Sequence, residues 1–183
     1  MDVYLARQPI YDRNMNVIAY ELLYRAGEEK NRAGPLHDPD GASTRVLVNA
    51  FSEIGLDKIT GGLPALINVT ERFLVSGALP ASLKGKLIPE LLENITITNQ
   101  LIDALKNLIA SGYQFALDDF QYQETWRPLM DLSSIVKIDV MTLGKSGTMR
   151  QVHEIRRSTQ CKAKLLAEKV ETHQEFEFYK ALG

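Results

Sequence analysis

Two adjacent carboxylates, Asp118 and Asp119, follow the short apolar segment Phe115-Ala116-Leu117. Side chains alternate between the two faces of a strand, so neighbouring aspartates converge on one point only where the strand ends and the chain turns. Like charges that lose their water must take up protons, find cations or stay hydrated. A pair of divalent metal ions would satisfy both carboxylates. The alternative is a hydrated loop in which one of the two caps the next helix.

Other polar residues hold comparable positions, within a short apolar segment or at its end. They are Glu21, Asn68, Glu90, Lys137, Asp139 and Glu168. A surface charge or a buried ion pair would account for each one alone. Whether they act together with Asp118 and Asp119 depends on the elements that carry them.

Hydrophobic patterning predicts those elements. The segments 3–6 and 17–23 are predicted to pair as a hairpin around a turn at 12–16. Further strands are predicted at 63–69, 87–92, 115–120, 135–140 and 163–167. Helices are predicted at 43–54, 71–75, 98–111 and 173–182, with another indicated by Met149, Val152 and Ile155. The helix at 98–111 has the clearest apolar stripe, and Gly112 is placed to end it.

After the hairpin, strands and helices alternate, which is typical of a parallel sheet with helices outside it and fits a (β/α) barrel. In a barrel the carboxyl ends of all strands share one face, so the polar residues would meet there. Several carboxylates, one Asn and one Lys suit hard cations such as Mg²⁺ or Mn²⁺. Two such ions would activate a water for in-line displacement at a phosphoryl group, with Lys137 deprotonating or orienting that water or neutralising charge in the transition state.

Bulk properties exclude several other classes. The 183 residues suffice for one domain, and a net charge of −2 with dispersed Lys and Arg offers no basic face for long nucleic acid. The single Cys161 cannot form an internal disulfide, and the three His are too scattered for zinc. No apolar run reaches the roughly 20 residues of a membrane span, and no signal peptide is evident. We therefore expect a cytoplasmic protein.

Seven short motifs occur in order over nearly the whole chain. They are Gln8-Pro9-Ile10, Glu21-Leu22-Leu23-Tyr24-Arg25, Asn68-Val69-Thr70, Glu90-Leu91-Leu92-Glu93, Asp118-Asp119-Phe120, Lys137-Ile138-Asp139 and Ala167-Glu168-Lys169-Val170-Glu171. The set resembles the EAL domain of bacterial cyclic-di-GMP phosphodiesterases, with Leu22 in place of the Ala of E-A-L. It is most similar to the branch in which an EAL domain precedes an HDOD domain.

The resemblance implies a fold, a reaction and residue roles. The fold is an α/β, TIM-like (β/α) barrel of EAL type with an antiparallel first strand, and the reaction is metal-dependent hydrolysis of cyclic-di-GMP to the linear dinucleotide pGpG. The implied metal ligands are Glu21, Asn68, Glu90, Asp118, Asp119 and Glu168. Lys137 would serve the attacking water, with Glu21 also essential to catalysis. Gln8, Arg25 and Asp139 would contact the dinucleotide, and Glu93 would anchor the loop after Phe120.

The sequence departs from that family at two places. The family's D-D-F continues as G-x-G-x-S-S, a flexible loop that joins the dimer contact, whereas here 121–126 contain neither Gly nor Ser. The chain also stops before the expected final strand. We therefore expect 1–183 to be an EAL-like domain of a longer protein, with a C-terminal HDOD domain beyond it. The following part, another chain or a partner domain would cover the open sheet edges.

Three functions remain open from the sequence. The first is an active cyclic-di-GMP phosphodiesterase, alone or as a homodimer. The second is a catalytically inactive EAL domain that serves as a cyclic-di-GMP receptor or a protein-interaction module, which the altered loop favours. The third is an unrelated metal-dependent barrel enzyme acting on another phosphoester or an enolisable acid. The presence of Gln8, Arg25 and the Lys137-Ile138-Asp139 motif speaks against the third.

Overall fold

The computed structural model describes residues 3–26, 48–49, 51–53, 55–157 and 161–183, without the side chains of 3, 4 and 24–26. Within these ranges seven strands form one sheet in chain order. The strands are β1 (Val3–Tyr11), β2 (Val17–Ala26), β3 (Ala65–Asn68), β4 (Leu87–Leu91), β5 (Ala116–Leu117), β6 (Ile135–Asp139) and β7 (Lys164–Glu168). The first pair is antiparallel and every later pair is parallel. This confirms the predicted fold class.

Helices alternate with the parallel strands. They are α1 (Leu56–Thr60), α2 (Glu71–Val75), α3 (Asn99–Ala110), α4 (Arg127–Leu132), α5 (Val140–Arg157) and α6 (His173–Leu182). The helices predicted at 71–75, 98–111 and 173–182 are confirmed. Residues 48–49 and 51–53 are helical, and the rest of the helix predicted at 43–54 lies outside the described residues. The short helices α1 and α4 were not predicted.

Capping explains why α3 keeps its predicted limits. At its start the hydroxyl of Thr98 accepts a hydrogen bond from Leu101 N (3.1 Å). At its end Gly112 adopts φ +87°, and the next amide, Tyr113 N, bonds back to Leu108 O (3.1 Å). This is a Schellman motif, in which the left-handed residue is easiest for glycine.

The helix after β6 differs from its predicted pattern in two respects. Val152 and Ile155 are buried, but Met149 is 50% exposed, so the apolar stripe is narrower than the sequence indicates. Gly144 has φ 62° and interrupts the helix near its start. No helix of the described ranges combines the length and the apolar character that crossing a bilayer requires.

The two faces of the sheet contain different cores. Large side chains such as Phe73, Phe115 and Leu101 pack between the sheet and the helices. A small separate cluster fills the concave side and consists of Ala19, Leu66, Ile88 and Ala116, with Ile10 and Ile135 against it. The sheet therefore curls around an apolar floor, as in the lower layers of a barrel.

Candidate functional site

The polar residues predicted from the sequence form a layer directly above this apolar floor. Five of them follow a floor residue by two positions, so strand alternation places both members of each pair on the same face. The pairs of floor and polar residue are Ala19 and Glu21, Leu66 and Asn68, Ile88 and Glu90, Ala116 and Asp118, and Ile135 and Lys137. Parallel register then sets Asn68 beside Glu90 and Asp139 beside Glu168. The strands thus gather these residues at one end of the sheet.

Lys137 lies at the centre of the layer. Its side chain is only 1% exposed, and its Nζ is 2.7 Å from Asp118 Oδ1, 2.8 Å from Glu90 Oε1, 2.9 Å from Glu168 Oε1 and 3.3 Å from Glu21 Oε2. Four carboxylates drawn from β2, β4, β7 and the end of β5 therefore share one ammonium group. We call these five residues the inner cluster.

One ammonium cannot balance that much buried negative charge. Burial raises the pKa of Glu90 to about 8, because the nearby Glu21 and Asp118 add to the cost of desolvation and Lys137 offsets only part of it. Burial likewise raises the pKa of Glu168 to about 7. Burial alone would lower the pKa of Lys137, but its four carboxylate neighbours raise it above the ordinary range, which keeps the amine protonated. The inner cluster thus favours an added proton or an added cation.

Three oxygen atoms of the layer show where such a cation would find ligands. Asn68 Oδ1, Glu90 Oε2 and Glu168 Oε2 are buried and have no hydrogen-bond partner among the described residues. Unpartnered buried oxygens are rare in proteins and costly. Ligand atoms of Asp118, Asp119 and Glu168 also lie within 4.8 Å of one another. The residues present therefore fit a hard, oxygen-preferring cation such as Mg²⁺ or Mn²⁺.

Asp119 turns the chain away from the strand, as convergence of two adjacent aspartates requires. It has φ 44°, in the left-handed region that Asp tolerates better than most residues. Its carboxylate is 43% exposed and lies 3.8 Å from Lys169 Nζ. Burial and the neighbouring Asp118 raise the pKa of Asp119. Asp119 therefore belongs to the rim of the site, whereas Asp118 belongs to the inner cluster.

Asp139 and Lys169 complete this rim. Lys169 Nζ lies 2.5 Å from Asp139 Oδ2, and Thr142 donates to Asp139 from its backbone amide (2.9 Å) and its hydroxyl (2.7 Å). Burial opposes ionisation of Asp139, but the hydrogen bonds from Lys169 and Thr142 prevail and lower its pKa to about 2. We call Asp119, Asp139 and Lys169 the outer cluster. Sequence reasoning gave no role to Lys169, because only its contacts distinguish it from other surface lysines.

The loop after Phe120 is held by a residue that the sequence did not single out. The buried amide of Gln151 on α5 accepts from Tyr122 N (2.9 Å) and donates to Phe120 O (2.8 Å). Phe120 also packs edge-on against Trp126, with ring centroids 6.0 Å apart. Glu93, the predicted loop anchor, is exposed and lines a small cavity with Asp119 and Gln121. No sequence motif contains Gln151, so long-range packing alone identifies it.

A groove of about 720 Å³ opens beside the site, between the first hairpin and the segment from β7 to α6. Its polar end contains Gln8, Glu21, Asp118 and Glu168, and Gln8 stands opposite Glu21 in the β1–β2 register. Arg13 Nη2 bridges the groove to Lys180 O at 2.6 Å. Among the predicted dinucleotide contacts, Gln8 and Asp139 are thus near the inner cluster. The side chain of Arg25 lies outside the described part.

Known proteins resemble this chain in sequence and in fold. It is 40% identical over 183 residues to the uncharacterized protein YuxH of Bacillus subtilis, with 96% of this chain and 43% of YuxH covered. It is 35% identical over 174 residues to the cyclic di-GMP phosphodiesterase CdgJ of Vibrio cholerae, with 94% of this chain and 40% of CdgJ covered. The chain spans about two fifths of the length of these curated relatives. No protein-family model matches the sequence.

The solved structure of PaMucR phosphodiesterase in complex with c-di-GMP has the same architecture. Its TM-score is 0.71 at 21% identity, and the alignment covers 99% of this chain and 91% of that one. Identity at that level establishes the fold, which is the α/β barrel of EAL type. The similarity to CdgJ and this shared fold together support the resemblance to EAL domains that the seven motifs indicate.

Proposed function

We propose that this chain is an EAL domain of cyclic-di-GMP signalling that hydrolyses one phosphodiester bond of cyclic-di-GMP in a metal-dependent reaction. The observation that carries the proposal is the inner cluster, in which four carboxylates surround one buried ammonium while Glu90 Oε2 and Glu168 Oε2 lack partners in the described residues. A structural cluster has no need of this excess negative charge, whereas a cation-dependent phosphodiesterase does.

The similar proteins support the choice of ligand. CdgJ is named a cyclic di-GMP phosphodiesterase, and the PaMucR structure contains c-di-GMP. Gln8, Glu21, Asp118 and Glu168 line the groove beside the inner cluster, so a ligand bound there could reach the proposed metal site. Because the relatives are longer than this chain, an attached HDOD domain, a homodimer contact and a cytoplasmic location stay predictions.

The metal would be held by the oxygens of the polar layer. The ligands would be Glu21, Asn68, Glu90, Asp118, Asp119 and Glu168, directly or through water. When bound, one or two divalent ions would lower the pKa of a coordinated water and stabilise charge on the phosphoryl oxygens. The oxygens of Asn68, Glu90 and Glu168 that lack partners among the described residues would then be satisfied, which removes the cost of burying them alone.

Lys137 would act as a charged hydrogen-bond donor. In the metal-free protein its carboxylate neighbours keep it protonated, and a protonated amine donates hydrogen bonds rather than accepting a proton from water. Its Nζ lies within 2.9 Å of carboxylate oxygens of Glu90, Asp118 and Glu168 and could orient a water held in the same layer. Of the roles open from the sequence, orientation of the nucleophile and neutralisation of charge therefore fit best. The proton would pass to a carboxylate of the site.

Gln8, Arg25 and Asp139 would position the dinucleotide. Gln8 lines the groove next to Glu21, and an Arg at position 25 would offer paired N–H donors to a phosphate or a base edge. Asp139 is held in place by Thr142, so it could accept a hydrogen bond from a guanine edge without reorganising.

The test is hydrolysis of cyclic-di-GMP by the purified full-length protein with Mg²⁺ or Mn²⁺. Metal-dependent formation of pGpG should disappear in Glu21→Gln and persist in Glu154→Gln, a control that removes the same charge from a carboxylate 40% exposed on α5. Hydrolysis that survives in Glu21→Gln would contradict the proposed site. Absence of both binding and hydrolysis with either metal would reject cyclic-di-GMP as the ligand.

A receptor without turnover is the second candidate, and the loop after Phe120 favours it. Gln151 fixes this loop to α5 through two hydrogen bonds, whereas a catalytic loop beside a metal site commonly needs to move. In the same experiment, tight cyclic-di-GMP binding without pGpG would identify the receptor.

A further inference from the structure

We propose that Lys169 is a built-in counter-ion that competes with a divalent cation for Asp119 and so limits metal occupancy at the rim of the site. This inference rests on the proposed metal-dependent function. The seven motifs assign no role to Lys169.

The geometry places the Lys169 ammonium where an outer cation would bind. Its Nζ is 3.8 Å from Asp119 Oδ1 and 2.5 Å from Asp139 Oδ2. Asp119 offers one of three ligand atoms that lie within 4.8 Å of one another, the others belonging to Asp118 and Glu168. An ammonium within reach of that carboxylate repels a second positive charge from the same oxygens.

The position of Lys169 is fixed by its backbone and by Asp139. Lys169 follows Glu168 directly and has φ 60°, a left-handed conformation that is uncommon for a residue with a long side chain. Asp139 is in turn held by Thr142 at the start of α5, through bonds of 2.7 Å and 2.9 Å. The ammonium is therefore anchored between two aspartates, although 48% of its side chain is exposed.

The inner cluster shows why this position affects the metal. Lys137 shares its charge among four carboxylates, and oxygens of Glu90 and Glu168 remain without a hydrogen-bond partner in the described part of the chain. A first divalent ion is favoured there with or without Lys169. A cation that also uses Asp119 must displace the Lys169 ammonium or share the carboxylate with it. Lys169 would thus weaken binding at the rim more than binding in the interior.

The experiment is titration of the metal-free, full-length protein with Mn²⁺ alone, by calorimetry. We expect Lys169→Met to bind Mn²⁺ on the order of tenfold more tightly than the unmodified protein, because a unit positive charge close to the ligands is removed. Lys169→Gln should behave in the same way. Lys169→Arg, which restores the charge, should return the affinity to its original value.

Lys106→Met is the matched control. Lys106 is 60% exposed and pairs loosely with Asp103, at 3.9 Å. Its substitution therefore removes the same unit of positive charge from a lysine that pairs with a residue outside the site. It should leave Mn²⁺ affinity unchanged. All variants keep a side chain of similar length, and their thermal unfolding midpoints should lie within about 5 °C of that of the unmodified protein.

The outcomes separate this inference from the proposed function. If Lys169→Met and Lys169→Gln bind Mn²⁺ no better than the unmodified protein while Asp118→Asn abolishes binding, the competition is refuted and the metal site stands. If none of the proteins binds Mn²⁺, both the competition and the metal-dependent function are refuted.

Discussion

Two lysines organise the carboxylates of this site, and they do so in different surroundings. Lys137 is 1% exposed and contacts four carboxylates, of which Glu90 is fully buried. Lys169 is 48% exposed and contacts the two aspartates of the outer cluster. The pKa of Glu90 is raised to about 8, whereas that of Asp139 is lowered to about 2. An ammonium group beside carboxylates thus accompanies a raised carboxyl pKa in the buried inner cluster and a lowered carboxyl pKa in the more exposed outer cluster.

The two pKa values differ because the outer cluster is open to water and because the inner cluster has more carboxylates for each ammonium. In the inner cluster, desolvation makes each ionised carboxylate costly, and one ammonium must serve four of them. In the outer cluster, water screens the charges and hydrogen bonds from Thr142 support the ionised form of Asp139. The inner cluster therefore favours a further cation, while the outer cluster already contains its own.

The largest effect should come from removing the inner lysine. Lys137→Met leaves Glu90, Asp118 and Glu168 without their shared cation, so we expect it to lower the free energy of unfolding by roughly 3–5 kcal/mol. Urea unfolding in the presence of EDTA measures this loss, and added Mn²⁺ should recover part of it. Lys106→Met, on the surface, should change stability by less than about 0.5 kcal/mol. A Lys137→Met protein as stable as the original would show that the inner cluster does not need a cation.

The second test uses a substitution that should raise the free energy of unfolding instead of lowering it. Because the folded-state pKa of Glu90 is raised to about 8 from 4.5, its protonated form stabilises the metal-free protein. That contribution is fully present below about pH 4.5 and is lost as pH rises toward 8. Glu90→Gln stays neutral, so it should exceed the original protein in stability at pH 8, on the order of a few kcal/mol, but not at pH 4.5.

The measurement is urea unfolding of both proteins in EDTA across this pH range. Glu154→Gln, a control at a partly exposed carboxylate, should show no such divergence. Equal stability of Glu90→Gln and the original protein at pH 8 would indicate that Lys137 fully compensates Glu90, and the contrast between the two clusters would then fail.

An intermediate effect is expected at the loop that follows Asp119. Gln151→Met removes two hydrogen bonds and leaves Tyr122 N and Phe120 O without this partner, which should cost about 1–3 kcal/mol. Faster proteolysis between Phe120 and Trp126 would report loosening of the loop specifically. Glu93→Gln is the companion variant, since Glu93 is exposed beside the same loop. If Glu93→Gln loosened the loop more than Gln151→Met, the anchor predicted from the motifs would be the effective one.

This loop also separates the features that could be predicted from the sequence from those that could not. The barrel and the inner cluster were predictable because strand alternation is local, so that Ile88 and Glu90, or Ile135 and Lys137, must share a face. The same reasoning required a turn at Asp119, and its φ of 44° meets that requirement. The order of strands then follows from the alternation of strands and helices.

What the sequence could not supply depends on distant contacts or on short elements. Gln151 reaches Phe120 across 31 residues, and Lys169 reaches Asp139 across 30. Neither contact leaves a periodic signal. The helices α1 and α4 have five and six residues, too few for a hydrophobic period to stand out. The face on which each inner-cluster residue lies is therefore set by local patterning, whereas Gln151 and Lys169 are identified only by their contacts with other elements.

The smallest effect should arise in the outer cluster, where it should be present at neutral pH and disappear in acid. The ionised form of Asp139 stabilises the protein above its ordinary pKa of 3.8, and this contribution is lost as pH falls through about 2. Asp139→Asn keeps an acceptor for Thr142 N but loses the ion pair with Lys169. Because Lys169 is half exposed, solvent screening limits the expected loss at pH 7 to about 1 kcal/mol. Lys169→Met should lose a similar amount, and the double variant no more than either alone. A loss at Asp139 as large as that at Lys137 would mean that water does not screen the rim, and the two lysines would then be equivalent.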